Sequence, residues 1–326
     1  MDFNLPRKKV LLAEPRGFCA GVDRAIAMVE RALAVHGAPV YVRKEIVHNH
    51  HVVNMLRRKG AHFVDSEDEV PEGAVCVFSA HGVSPAVRAN ADARRLDVID
   101  ATCPLVAKVH QAARRVVRDD RTLLLIGHND HEETEGTRGE APEKTIVVET
   151  VEDVDRLEID DDLPVAYLTQ TTLSVDETAG IVDRLRDRFT DLAVPASDTI
   201  CYASQNRQNG IKSLAGKADL VIVVGSENSS NSQRMVDVAR DAGTAAHLLP
   251  DVSYLDESWL TGAETIGVSS GASVPEVLVE QLLDRLVEHG FADLEIESTS
   301  KEDVVFSMPQ LAGAKRGGHG ADQLGG

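Results

Sequence analysis

Aromatic residues are scarce in this chain. Only 4% of its 326 residues are Phe, Trp or Tyr, so an interior built from 43% hydrophobic residues must be mostly Val, Leu, Ile and Ala. Positive charge is also in short supply. Against 53 Asp and Glu stand 34 Lys and Arg, a formal net charge of -19 at pH 7. That balance argues against nonspecific binding to nucleic acid or anionic membranes as the main role. It also repels phosphorylated substrates, so a site for one needs helix N-termini, histidines and hydroxyls to offset the field locally. No apolar run approaches the length of a membrane span. The run after "MDFNLPRKK" is too short for a secretory signal. Four cysteines in so long a chain exclude a disulfide scaffold. A soluble protein of a reducing, cytoplasmic compartment is expected. Two nucleotide and metal motifs, GxGxxG and HExxH, are missing. "GIKSLAGKA" has the wrong spacing for a P-loop, with Ala218 where Ser or Thr is required.

What is present is alternation. "KVLLAE", "AVCVFSA", "TLLLIG", "PVAYLT", "DLVIVVG" and "TIGVSS" are short apolar runs, each followed by a helical pattern or a polar loop leading to one. Strands without polar alternation predict parallel sheets covered on both faces, and the order predicts α/β architecture with functional residues at the carboxyl ends of strands. We expect three similar small α/β domains, 8–100, 101–197 and 198–298, arranged pseudo-three-fold around a central cavity. A glycine-rich C-terminal tail, 299–326, is expected to be partly disordered.

The strand ends repeat. Cys19, Cys103 and Cys201 each follow an extended run and open a helix. At similar distances onward come His48, His131 and Ser229, and then His81, Thr171 and Ser273. Three thiols on three units can meet only at the middle. A lone cysteine usually just packs, and mid-strand Cys76 reads that way, but packing does not require three to share a helix N-terminus, where thiolate is favoured. Zinc could take three thiolates and a fourth ligand. A four-iron, four-sulfide cube would keep one iron free of protein and open to a substrate oxygen.

Histidines at loop ends are often only surface residues. Here His48, His81 and His131 sit at equivalent strand ends, and as imidazolium they would attract an anion, so binding should weaken as pH rises. "GHNDHEETEG" supplies Glu132, Glu133 and Glu135. Carboxylates at a helix start are ordinary, yet one facing a closed cavity would be a general acid if burial raised its pKa. Spacing does not choose among them. In "GSENSSNSQRM", Ser229, Ser230, Asn231 and Ser232 exceed what one N-cap needs and could hold phosphate oxygens.

At "PRGFCAGVDRAI", "EIVHNHHVV", "SAHGVSP", "DATCPLV", "GHNDHEETEG", "TQTTLSVDET", "DTICYASQNRQ", "GSENSSNSQR" and "SSGASVPE" the sequence resembles the 4-hydroxy-3-methylbut-2-enyl diphosphate reductases, which catalyse the last step of the non-mevalonate isoprenoid pathway. The stretches run in order from about residue 10 to 290. The resemblance implies three α/β domains around an iron–sulfur cluster, [4Fe-4S], bound by Cys19, Cys103 and Cys201. It implies that His48, His81, His131, Ser229, Ser230, Asn231 and Ser273 face the diphosphate, that Thr171 lies by the substrate hydroxyl, and that Glu133 belongs to the proton path. The implied reaction removes that hydroxyl as water, with two electrons and two protons, giving isopentenyl and dimethylallyl diphosphates. Electrons would come from a ferredoxin- or flavodoxin-type protein, for which Arg57, Arg58 and Lys59 are a candidate basic patch. The extra His50 and His51 disturb no motif, and nothing beyond residue 310 matches. The rivals are a zinc-dependent hydrolase of a phosphorylated substrate and a non-enzymatic iron–sulfur sensor.

Overall fold

The computed structural model describes residues 8–196 and 199–309. Its strands form three separate sheets. One holds β1 (Lys8–Glu14), β10 (Leu220–Val224), β11 (Ala245–Leu249), β12 (Thr265–Ser270) and β13 (Phe291–Ser298), in the order β11-β10-β12-β1-β13. The second runs β3-β2-β4-β5, from β2 (Val40–Arg43), β3 (Ala61–Val64), β4 (Val75–Phe78) and β5 (Asp97–Asp100). The third runs β7-β6-β8-β9, from β6 (Thr122–Ile126), β7 (Thr145–Val148), β8 (Val165–Thr169) and β9 (Leu192–Ala193). Every pairing is parallel, as unalternating apolar strands require when helices cover both faces.

The helices are α1 (Ala20–His36), α2 (His50–Lys59), α3 (Pro85–Ala93), α4 (Pro104–Arg118), α5 (Glu132–Arg138), α6 (Val151–Arg156), α7 (Val175–Arg188), α8 (Tyr202–Ala215), α9 (Ser230–Asp241) and α10 (Glu276–Glu288). Alternate residues of one strand feed opposite cores. Val10 and Leu12 pack with Leu278, Leu282 and Leu286 of α10, while Leu11 and Ala13 pack with Ile211 and Leu214 of α8. In the second sheet, Val40 and Val42 meet α1 and α2, while Cys76 and Phe78 meet Val87 and Ala91 of α3. In the third, Leu124 and Ile126 face α7, and Leu123 and Leu125 face Val109 and Ala113 of α4. Cys76 is fully buried, the core residue its mid-strand position predicts.

The three cysteines mark where the chain changes sheets. It leaves the first sheet at β1, passes Cys19, and enters α1, whose Val22, Ile26 and Val29 pack on the second. It leaves the second sheet at β5, passes Cys103, and enters α4 on the third. It leaves the third at β9, passes Cys201, and enters α8 back on the first. The first sheet therefore closes around the amino-terminal strand β1, held between β12 and β13. A boundary drawn at 8–100 in chain order does not follow the sheets, because parallel pairing joins strands far apart in sequence.

Residues 310–326 lie outside the described residues. Residues 299–309 do not behave as a loose tail. Thr299 N–H donates to Glu14 O at 2.9 Å, Arg24 Nε donates to Ser307 O at 3.1 Å, and Met308 packs on the core beneath α1. Glu302 accepts from Asn206 and from Arg207, at 3.0 Å each. Arg207 has 0% exposure and also donates to Ala203 O and Gly17 O. A buried guanidinium is tolerable only with such partners. Arg207→Met should therefore lower unfolding free energy by about 3 kcal/mol in urea titrations, since it removes the counter-charge of Glu302 and the donors to Ala203 O and Gly17 O. It should also expose the chain near Glu302 to protease. Wild-type stability would mean that these contacts do not hold the segment.

Candidate active site

The cysteine turns are built alike. Cys19 N–H donates to Ala272 O at 3.1 Å, Cys103 N–H to Ala80 O at 2.9 Å and Cys201 N–H to Thr171 O at 2.9 Å. Each acceptor closes a loop after a strand, and each is Thr171 or the residue before His81 or Ser273. One hydrogen bond per unit thus ties a thiol to a polar group on the same rim. All three cysteines are free and line one central cavity of about 780 Å³, part of it open to solvent. A Cβ placed on Gly21 would lie 2.7 Å from Cys103 Sγ and 3.8 Å from Cys19 Sγ, so only glycine lets α1 approach those sulfurs. Cys201 Sγ meets the N–H and hydroxyl of Ser204 at 3.3 and 3.1 Å.

Burial pushes the Cys103 thiol up to about 12, despite the N–H groups of α4. Burial and the neighbouring Cys19 push Cys201 up to about 11. The helix N-terminus does not win at these two positions, contrary to the sequence expectation: buried, they are neutral thiols. Only a bound cation would make them thiolates. Among the described residues no three His, Cys, Asp or Glu side chains are close enough to hold a single metal ion. Zinc would need sulfurs at about 2.3 Å from one centre; a cluster spans more space and suits sulfurs set around a cavity wall.

Three imidazoles share the same cavity. His48 and His81 stack with centroids 4.1 Å apart, and His131 stands edge-on to them at 5.4 and 5.8 Å. His131 Nδ1 accepts the backbone N–H of Glu133 at 3.1 Å, which fixes a neutral ring with its proton on Nε2. Burial, with His81 and His48 close by, drives its pKa down to about 2. Burial and His48 also lower His81, against the pull of Glu132 at 3.1 Å. These two histidines are thus neutral donors or acceptors before any anion arrives, not the imidazolium ions the sequence suggested. Carboxylates stand behind two of the rings: Glu45 lies 3.3 Å from His48 Nδ1, and Glu132 lies behind His81. Burial alone would raise Glu132, but its hydrogen bond to His81 and the nearby rings hold it below the usual carboxylate range.

The remaining wall is made of hydroxyls and amides. Ser229 caps α9, accepting from Ser232 N–H at 3.3 Å. Ser232 itself fills the space beside Gly271, where a Cβ would sit 2.1 Å from its hydroxyl. Ser230 Oγ accepts from Thr172 at 3.1 Å, and Ser273 donates to His48 O at 2.9 Å. Asn231 accepts Ala272 N–H through Oδ1 at 2.9 Å, while its buried Nδ2 has no partner. An unpaired buried donor on a cavity wall is ready for an anionic ligand. Glu133 stands behind this wall rather than in it. It is 2% exposed and accepts both the N–H of Thr171, at 2.6 Å, and its hydroxyl, at 2.9 Å. Burial raises its pKa despite those bonds. The first turn of α5 therefore splits the three glutamates, with Glu132 turned to His81, Glu133 to Thr171 and Glu135 exposed.

Of the twelve cluster, substrate and proton-path residues that the resemblance implies, eleven line the cavity, and Glu133 reaches it through Thr171. Glu45 and Asn228, bonded to each other at 2.8 Å beside His48, were missed; the signals were Glu45 three residues before His48 and Asn228 just before the serine pair. Phe306, also on the wall, gave no signal. Arg57, Arg58 and Lys59 lie at the far end of α2 from His50 and do not line the cavity. Lys59 pairs with Glu30, and Arg57 sits over Phe63.

Fold and cavity define a class: a three-sheet α/β protein whose units each lend a thiol and polar groups to one central pocket. The family model described as LytB protein matches residues 10–287. A 4-hydroxy-3-methylbut-2-enyl diphosphate reductase from Nocardia farcinica is 61% identical over 93% of this chain and 90% of its own. One from Rhodococcus jostii is 58% identical over 95% and 92%. The solved structure of the E-1-hydroxy-2-methyl-but-2-enyl-4-diphosphate reductase from Plasmodium falciparum superposes with a TM-score of 0.89 at 39% identity, covering 94% of this chain and 96% of that one. The chain belongs to the LytB family.

Neutral His81 and His131 also bear on acid stability. Both pKa values are lower folded than unfolded, so the unfolded chain binds more protons and stability falls as pH drops below about 6.5. In the ligand-free protein, nitrogen-15 shifts of His131 should remain those of the neutral Nε2–H form from about pH 8 to about pH 5. Titration near the ordinary histidine value would contradict the bond from Glu133 N–H.

Proposed function

We propose that this chain reduces (E)-4-hydroxy-3-methylbut-2-enyl diphosphate to isopentenyl and dimethylallyl diphosphates, with Cys19, Cys103 and Cys201 holding a [4Fe-4S] cluster. The observation that carries the reading is the meeting of three free thiols, three imidazoles and an amide–hydroxyl wall in one cavity, with a buried carboxyl one hydrogen bond behind it. When bound, the cluster supplies electrons one at a time and an iron able to polarise the substrate oxygen. Per turnover the substrate takes up two electrons and two protons, its C–O bond breaks and water leaves.

The protein's own groups do the rest. His131 Nε2–H and Asn231 Nδ2 donate to diphosphate oxygens without bringing fixed charge, and the N-terminal amides of α9 add a partial positive field. His48 and His81, backed by Glu45 and Glu132, face the anion, and His81, whose pKa burial lowers in the free protein, is arranged to take up a proton as it binds. The His81 pKa rises in the complex, so affinity should fall as pH increases through that raised value. Glu133, whose pKa burial raises, takes up a proton on Oε2 and reverses its bond with Thr171, donating to Thr171 Oγ1 while Thr171 passes its own proton to the leaving hydroxyl. Three unpaired thiols call for a reducing compartment such as the cytoplasm, and the electrons for a ferredoxin- or flavodoxin-type donor.

Anaerobically prepared protein should be brown, contain iron and sulfide, and convert the allylic diphosphate with reduced methyl viologen as donor. A colourless zinc protein would return the hydrolase reading, and a brown protein without turnover the sensor. Glu133→Gln should cut turnover by about 100-fold or more with iron content unchanged. Wild-type turnover would remove Glu133 from the proton path. Cys103→Ser should lower iron content itself.

A further inference from the structure

A reductase of this kind must be recharged from outside, so some face of the protein has to bring a donor near the thiols. Cys201 lines two spaces at once: the central cavity, and an outer groove between α4, the start of α8 and the end of the third sheet. Leu105 and Tyr202 are likewise shared between the two. The groove is therefore separated from the cavity by one layer of side chains.

Its charge runs against the rest of the chain. Among the described residues, Lys108, Arg115 and Arg121 line it with a single carboxylate, Asp119, although acids outnumber bases 53 to 34 overall. Leu105, Lys108, Ala112 and Arg115 recur at helical spacing on one face of α4. Arg121 is engaged by Asp191 and neighbouring Arg114 by Glu140. Lys108 and Arg115 are exposed and have no carboxylate partner among the described residues. Exposed apolar surface adjoins them: Val175 is 49% and Val194 59% exposed, and both line the groove. The pocket on the His131 side has the opposite sign, with Asp130, Glu227 and Asp237 against Arg234.

We propose that the α4–α8 groove is the docking surface for a small acidic ferredoxin, with Lys108 and Arg115 steering it and Cys201 as the nearest thiol. This rests on the reductase reading above. Two donor molecules, each oxidised by one electron, would be consumed for each hydroxyl removed as water. Cations with a few apolar contacts suit a transient encounter of this kind. Approach from this face leaves the His131 side of the cavity free for substrate.

The test compares wild type with Lys108→Glu/Arg115→Glu in the cluster-containing protein. Binding of a plant-type [2Fe-2S] ferredoxin, measured by calorimetry at low ionic strength, should weaken at least about tenfold in the variant, and wild-type affinity should itself fall as salt is added. Ferredoxin-driven turnover should drop with it. Turnover with reduced methyl viologen, which needs no docking, should stay at the wild-type rate. Equal ferredoxin affinity in both proteins would overturn the proposal. So would substitutions that abolish only self-association, which would assign the groove to a second copy of the chain. Failure of wild type with methyl viologen would instead sink the reductase reading, while a tenfold binding difference would still uphold the docking face.

Discussion

Three backbone hydrogen bonds organise this molecule. Each runs from the N–H of a cysteine to a carbonyl just past a strand end, at Ala272, Ala80 and Thr171. Because each cysteine also caps a helix that packs on the next sheet, the same bond fixes the crossover between units and the direction of a thiol. The cavity is thus the place where three sheets exchange chain, not a cleft cut into one of them. Gly21, with no room for a side chain beside Cys103, shows how closely the crossovers approach.

An acidic chain that handles a diphosphate faces an electrostatic conflict. Fixed lysines or arginines would be the simple answer, yet among the described residues none lines the central cavity. The wall offers neutral donors instead, and two imidazoles with carboxylates behind them. Such a set avoids burying uncompensated positive charge when no anion is present. Glu133, a buried carboxyl whose pKa burial raises, is set back from the cavity by a single hydroxyl, where that burial also keeps it from repelling an anion.

Local chemistry was legible in the sequence where it coincided with a turn. Cys103 before Pro104, the serines before α9 and the histidines at strand ends all announce themselves because caps and strand ends have short-range signatures. Sheet membership did not. The pairing of β1 with β12 and β13 joins opposite ends of the chain, and no window of sequence contains it. The choice among Glu132, Glu133 and Glu135 depended on the rotation of one helical turn against two different sheets. Residues 299–309 read as a tail because Val304, Val305 and Phe306 have neither helical nor strand periodicity to mark them. What orders the segment is Arg207, far upstream, whose burial demands Glu302.

That last contact has a bearing on biogenesis. Strand β1, next to the edge strand β13, is made long before β13 and the stretch bearing Glu302 and Phe306. Until then the first sheet lacks an edge, Arg207 lacks its counter-charge and one side of the pocket stands open. Closing the pocket around the thiols therefore waits for the stretch bearing Phe306, and a chain truncated shortly before Glu302 would present them without a closed room to keep them in.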